Sequence, residues 1–294
     1  MPLRCVSEVI LPMEYIIPSA AAVLSLTALG AVFGLVLSFA KQKLKVERDP
    51  RFESVLEALP GANCGACGQP GCSGYAAKIV NGEVEINLCM VGGSETLDKI
   101  AGVMGVLSVG IKPTVARVNC QGSCDVTRTK FTYNGPQSCA AAQQVMGGFK
   151  TCRYGCLGLG DCTKVCPFDA IHMDDTLKLP VVDFDKCTGC GKCVNECPRN
   201  IIRLVEKKFD VYMKCQNREK APVMKLGCDV GCTACMRCVK ACKEVFKDSP
   251  DIETAIQVVD FLAVFDYDKC INCGKCAEVC PKKVINPLKV PVGE

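Results

Sequence analysis

The run Cys187-Thr-Gly-Cys190-Gly-Lys-Cys193-Val-Asn-Glu-Cys197-Pro198 returns almost unchanged as Cys270-Ile-Asn-Cys273-Gly-Lys-Cys276-Ala-Glu-Val-Cys280-Pro281. Three thiolates two residues apart wrap one iron–sulfur cluster from a tight turn, while the fourth, three residues on and followed by proline, reaches over to a second cluster. With 26 Cys, one His and no Trp in 294 residues, the core of such a chain is partly inorganic.

The spacing excludes other uses of sulfur. Disulfide frameworks scatter isolated cysteines, whereas these lie in tight runs. Rieske centres need two His ligands and catalytic zinc sites two or three, but His172 stands alone. Zinc ribbons pair two Cys-x2-Cys elements without a third and fourth Cys followed by Pro. The formal charge of +4 leaves no nucleic-acid footprint, and a mild Lys/Arg excess offsets the negative charge of thiolate-bound clusters.

From Tyr15 to Ala40 no charge interrupts 26 apolar residues, more than the ~20 that cross a bilayer, which predicts one transmembrane helix. Pro18 is tolerated near its start, and Gly30 and Gly34 form a small-residue face for packing on other membrane helices. Ser38-Phe39-Ala40 resembles a signal-peptide cleavage site, but the apolar run is too long and two Glu precede it against one Arg. Lys41, Lys43, Lys45, Arg48 and Arg51 crowd the C-terminal flank, so a single-pass protein of the cytoplasmic membrane is expected, with its cluster domains on the cytoplasmic side. Cys5 is unassigned.

A short amphipathic helix from Phe52 to Leu59, stopped by Pro60-Gly61, leads into Cys64-x2-Cys67-x4-Cys72, and Cys89 follows after sixteen residues. A helix over Ser73 to Val80 is expected to carry the chain back, so that Cys64, Cys67, Cys72 and Cys89 serve one cluster. A thioredoxin-like Cys-x2-Cys pair would leave Cys72 and Cys89 unexplained. Gly92 to Ile111 reads as a helix opened at Ser94 and then a Gly-punctuated stretch linking cluster domains, without a nucleotide-binding glycine loop.

Beyond it the chain repeats itself. Thr114 to Cys120 parallels Phe209 to Cys215, Cys152-x3-Cys156 parallels Cys228-x3-Cys232, and Asp183-Phe-Asp-Lys-Cys187 parallels Asp266-Tyr-Asp-Lys-Cys270. Each copy reads as a two-cluster, ferredoxin-like unit whose fourth cysteines cross over. Cys232, Cys235, Cys238 and Cys280 then hold one cluster, Cys242, Cys270, Cys273 and Cys276 a second, and Cys166, Cys187, Cys190 and Cys193 a third. The remaining set lacks its middle Cys, because Leu159 stands where Cys235 stands. Cys152 is expected to substitute, completing Cys156, Cys162 and Cys197, with a longer Leu157 to Asp161 loop accommodating the change. Cys120, Cys124, Cys139, Cys215 and Cys228 are left either to ligate a sixth cluster or to remain buried thiols.

The expected fold class is α+β: a membrane anchor (1–45, helix about 15–40), a small helical four-Cys domain (46–92), a linker (93–113) and two ferredoxin-like units in tandem (114–207 and 208–294). At least five [4Fe–4S] clusters with no nucleophile, base or nucleotide loop imply an electron relay with no independent catalytic site. Asp125, Asp161 and Asp169 read as capping or solvated carboxylates. Lys186, Lys192, Lys269, Lys275, Lys282 and Lys283 beside the ligands offer either a docking face for an acidic redox protein or ordinary charge balance.

The anchor, the four-Cys motif just after it, and Gly155-Cys-Leu-Gly-Leu-Gly-Asp-Cys162-Thr-Lys-Val-Cys166-Pro together resemble the B subunit of Rnf-type ion-translocating ferredoxin:NAD oxidoreductase complexes, in the cluster-rich form of anaerobes. The resemblance covers nearly the whole chain. It implies that soluble ferredoxin donates electrons and that other subunits of the membrane complex receive them. The doubled ferredoxin unit departs from shorter family members. A reductant-supply subunit for a nitrogenase-type system, and a redox- or oxygen-sensing iron–sulfur protein, are the other readings.

Overall fold

The computed structural model describes residues 13–43, 49–247 and 254–287. Cys5, Lys45 and Arg48 lie outside them. Helix α1 (Met13–Lys43) has 31 residues, so at 1.5 Å per residue it extends about 46 Å, more than a hydrocarbon core needs. Its segment Val23–Ala40 has a mean hydropathy of 2.2 and turns none of its side chains into a protein core. Thr27 returns its hydroxyl to the carbonyls of Val23 and Leu24, so it exposes no unpaired polar group. Among the described residues, nothing beyond the helix's own backbone lies within 4 Å of a Cβ placed on Gly30 or Gly34.

A second unit, Arg51–Glu294, holds everything else. It opens with α2 (Arg51–Ala58), α3 (Gly71–Val80) and α4 (Gly93–Met104). Phe52, Val55, Leu59, Tyr75, Ile79 and Ile100 form their common core. Helix α4 therefore differs from its sequence-based reading as linker: it buries Leu97, Ile100 and Ala101, and Gly105, at φ 68°, ends it. Only the stretch after Gly105 connects. Ser94 lies inside the helix, and Gly92 occupies the N-cap position without a side-chain bond.

The remainder is two similar halves of mixed helices and small sheets. In the first, β1 (Thr114–Val118) pairs antiparallel with β4 (Ile202–Glu206), and β2 (Ile171–Met173) with β3 (Pro180–Val182). Between β1 and β2 lie α5 (Cys139–Gln144) and α6 (Asp161–Lys164), and α7 (Lys192–Glu196) precedes β4. In the second, α8 (Ala221–Gly227) and α9 (Arg237–Val245) precede the hairpin of β5 (Ile256–Val259) and β6 (Leu262–Phe265), and α10 (Lys275–Glu278) follows. The strand expected over Phe209 to Cys215 is shortened to the bridge Met213↔Ile285, flanked by Lys214 N–H donating to the Val284 carbonyl (2.6 Å) and Asn286 N–H to that of Tyr212 (2.8 Å).

Equivalent hydrogen bonds recur in both halves. Asp183 N–H donates to the Ala170 carbonyl at 2.8 Å, and Asp266 N–H to that of Ala255 at 2.9 Å. Arg117 joins the halves: buried on β1, it donates to the Phe209 carbonyl at 2.7 Å and lies over the rings of Phe184 and Tyr212.

Candidate metal centres

The four cysteine turns share one backbone device. Left-handed residues stand just before and just after the middle position: Gly158 and Gly160, Gly189 and Gly191, Ala234 and Met236, Asn272 and Gly274. The reversals turn successive Cβ atoms toward one centre, and glycine takes that conformation without the ~1–2 kcal/mol cost a side chain brings. Leu159 thus occupies a turn with the same pattern of left-handed residues as its cysteine-bearing counterparts. The expected loop adjustment around it is not found.

Cys139 stands where a fourth thiol is wanted. It lines a recess with Cys156, Cys162 and Cys197, and its thiol bears on that of Cys162. Asp161 holds it there: one carboxylate oxygen accepts from the Ser138 hydroxyl (2.8 Å) and the Ala140 N–H (3.1 Å), while Lys164 reaches the Gln137 carbonyl at 2.7 Å. Burial opposes Asp161 ionisation, but the Ala140 N–H, the Ser138 hydroxyl and Lys164 outweigh it and hold the carboxyl below its usual range. Asp161 is therefore neither solvated nor a cap for its own helix. The ligand is hard to see in sequence because it enters from an inserted segment seventeen residues before Cys156.

Cys152, expected in that set, lines a different recess with Cys120, Cys215 and Cys228. Two of these thiols come from each half. The Cys156 N–H donates to Cys120 Sγ at 3.3 Å and the Cys232 N–H to Cys215 Sγ at 3.4 Å, the same bond in both halves. Asn217 Nδ2 adds a bond to Cys152 Sγ at 3.3 Å. A Cβ on Gly122 would lie 2.7 Å from Thr127 Cγ2 and in ordinary contact with Cys120 Sγ and Cys228 Sγ at 3.6 and 3.7 Å, so Thr127 requires a glycine at the edge of the recess. Cys124 belongs to no set: it is exposed, with Sγ 3.5 Å from the Thr176 carbonyl oxygen.

The structure gathers the other expected sets as read. Cys166, Cys187, Cys190 and Cys193 line one recess, and Cys232, Cys235, Cys238 and Cys280 another. The thiols of Cys242, Cys270 and Cys273 bear on Cys276, which burial pushes up to about 12. Those of Cys64, Cys67 and Cys72 bear on Cys89. In that first domain, Asn63 Oδ1 accepts from the Cys72 N–H at 2.8 Å. The buried Tyr75 hydroxyl donates to the Glu85 carbonyl (2.9 Å) and accepts from the Leu88 N–H (3.0 Å), fixing the chain just before Cys89. Tyr75 escaped the sequence reading because an apolar helix position gives no sign of a polar task.

These donors fit a cluster better than an ion. Among the described residues no three His, Cys, Asp or Glu side chains converge tightly enough to hold a single metal. Zinc, at about 2.3 Å from each sulfur, would draw its thiolates within ~4 Å of one another. Instead the thiols line separate recesses, four to each. No described cysteine is in a disulfide. Burial pushes the Cys162, Cys193 and Cys215 thiols up to about 12, so they yield protons to a group that supplies positive charge.

The sets also lie within electrostatic range of one another in turn. Cys64 bears on Cys190, Cys193 on Cys162, Cys120 on Cys156, Cys232 on Cys215, and Cys238 on Cys276. Each pair links a different two sets, giving one unbranched row from Cys64 to Cys270. Six sets of four use every one of the 26 cysteines except Cys5 and Cys124.

Residues 59–91 match the family described as "Putative Fe-S cluster", 180–203 a "4Fe-4S binding domain" and 231–285 a "4Fe-4S dicluster domain". The chain is similar to the B subunit of the Na(+)-translocating ferredoxin:NAD(+) oxidoreductase complex of Acetobacterium woodii, 43% identical over 87% of this chain and 74% of the relative. It is 35% identical to the B subunit of the ion-translocating oxidoreductase complex of Methanosarcina acetivorans, over 88% and 95%. With the B subunit of the proton-translocating ferredoxin:NAD(+) oxidoreductase complex of Clostridium ljungdahlii it shares 36% identity over 90% of each chain.

Proposed function

Since the chain belongs to the B-subunit family of ion-translocating ferredoxin:NAD oxidoreductase complexes, and is thus an iron–sulfur electron-transfer subunit, we propose that it relays electrons from reduced soluble ferredoxin through six [4Fe–4S] clusters to the other subunits. The observation that carries this reading is the unbranched row of cysteine sets. Two ferredoxin-like units each hold two clusters, the four-Cys domain holds one, and the sixth is shared at the junction by Cys120, Cys152, Cys215 and Cys228.

Entry is at the Cys270 end. Cys235 and Cys273 are exposed there, which brings cluster edges to the surface. Lys269 and Lys275 are partly offset by Asp266 and Glu278, while Lys283 stands free of any carboxylate partner among the described residues, leaving net positive charge to steer an acidic donor. Exit is at the Cys64 end, the set that follows α1 in the chain. Helix α1 crosses the cytoplasmic membrane once, with the cluster-bearing unit on the cytoplasmic side.

Iron and acid-labile sulfide in the anaerobically purified full chain test the cluster number. About 24 iron atoms per chain are expected, and about 20 would remove the shared site. Rapid mixing with reduced ferredoxin tests the donor: reduction that is slow and insensitive to salt would refute docking on the basic end.

A further inference from the structure

The two halves supply the shared site symmetrically, but the charges around it are not symmetric. Lys150 and Arg199 are only 4% and 7% exposed. Lys150 Nζ donates to the Gly122 carbonyl at 3.1 Å. Arg199 donates to Gln143 Oε1 (2.6 Å), the Cys152 carbonyl (3.0 Å) and the Gly147 carbonyl (2.5 Å). Neither pairs with a carboxylate among the described residues. A buried cation without a counter-charge is strongly disfavoured, so its partner charge must come from nearby. The nearest negative groups available are thiolates. Lys150 faces Cys120 and Cys156, and Arg199 faces Cys152, Cys156, Cys197 and Cys120.

The other half lacks this arrangement. Lys282 follows Cys280-Pro281 as Arg199 follows Cys197-Pro198, but it lies near the surface and reaches the Asp229 carbonyl. Lys214 is half-buried beside Cys280. The third buried cation, Arg117, faces Asp210, two aromatic rings and, of the cysteine sets, Cys187.

We propose that Lys150 and Arg199 set the reduction potentials of the middle of the relay. Their fixed positive charges, lodged between the shared set and the Cys139 set, stabilise the reduced state of the clusters held there and raise the potentials of these two. Reduction adds one negative charge to a cluster, and a nearby cation in a water-poor interior favours that added charge. The pair acts through position and charge and ligates nothing. The inference rests on the six-cluster reading above.

The test is a redox titration followed by electron paramagnetic resonance on the anaerobic full chain, in the wild type and in Lys150→Gln, Lys150→Arg, Arg199→Gln and Arg199→Lys. The charge-removing variants are expected to move two clusters to lower potential and leave the others in place, while the charge-keeping variants titrate as the wild type does. Unmoved potentials in charge-removing variants with full iron content would overturn the proposal. So would equal shifts in both kinds of variant, which would assign the residues a packing role. If a charge-removing variant loses iron, retention by its charge-keeping partner supports the proposal and loss by both overturns it. About 20 iron atoms in the wild type would overturn the shared site itself, a failure visible without any variant.

Discussion

Gln121 and Gln216 make the same contact in opposite directions. Gln121 Nε2 crosses into the second half and donates to the carbonyls of Val230 and Lys282, both at 3.0 Å. Gln216 Nε2 crosses into the first and donates to those of Tyr154 (3.2 Å) and Arg199 (2.7 Å), the matching positions. Each glutamine directly follows a cysteine of the shared set, so the bonds that clamp the halves together also seat its ligands.

Replacing either glutamine with alanine leaves two half-buried carbonyls without a donor, at ~1–3 kcal/mol for the site. Anaerobic denaturant unfolding should show that loss in each single variant. The double variant should lose about four irons and keep the rest. Uniform loss from all sets would mean that the clamp serves the whole fold.

Cysteine variants separate the ligand sets by counting. Cys152→Ala with Cys228→Ala should lose the same four or so irons as either alone, whereas Cys152→Ala with Cys197→Ala should lose about eight. Had Cys152 served the Cys156 set, the second pair would lose only about four.

Asp161→Asn keeps the shape but removes the charge that draws Ser138 and the Ala140 N–H together. Hydrogen bonds to a charged group contribute ~1.5–3 kcal/mol, so Cys139 should be held less firmly. Exposure to an iron chelator should then strip one cluster faster than in the wild type, with the other five unchanged. Stripping at the wild-type rate would show that Asp161 does not position Cys139.

Tyr75→Phe removes one hydroxyl that serves both the Glu85 carbonyl and the Leu88 N–H. A cost of ~1–3 kcal/mol is expected, confined to the first domain. Chelator kinetics should show early loss from the Cys64 set alone.

Two glycines of one turn should respond differently to alanine. At Gly191 the nearest atom to a new Cβ is Leu204 Cδ1 at 3.8 Å, so the cost is the left-handed backbone alone, ~1–2 kcal/mol. At Gly189 the new Cβ would collide with the Thr114 carbonyl oxygen. Gly191→Ala should bind its cluster and unfold slightly earlier, whereas Gly189→Ala should lose the cluster shared by Cys187 and Cys190. Equal iron content in the two variants would contradict this.

The ferredoxin-type turns were legible because cluster geometry dictates both cysteine spacing and the left-handed positions, and the long apolar α1 is equally plain. The place of Cys139 beside Cys162 was not legible, since it depends on a carboxylate twenty-two residues downstream. Nearness in the chain points Cys152 to the Cys156 set, whereas the structure places it beside Cys228, the residue the repeat matches it to, as it matches Cys120 to Cys215. Those two matched pairs are the shared set. The glycines at the end of α4 point to a linker, and the burial of Leu97 and Ile100 becomes visible only in the structure.

The row of sets has a further consequence for how the chain is made. Starting with the set that follows α1 in the chain, the sets gain their last ligands at Cys89, Cys193, Cys197 and Cys228, and then, beyond the junction, at Cys280 and Cys276. A nascent polypeptide leaving the ribosome therefore gathers the first four sets in their order along the row, the joint between the two halves being the first site that no single half can finish, and the last two sets close almost together, the entry-end set at Cys276 and its inner neighbour at Cys280.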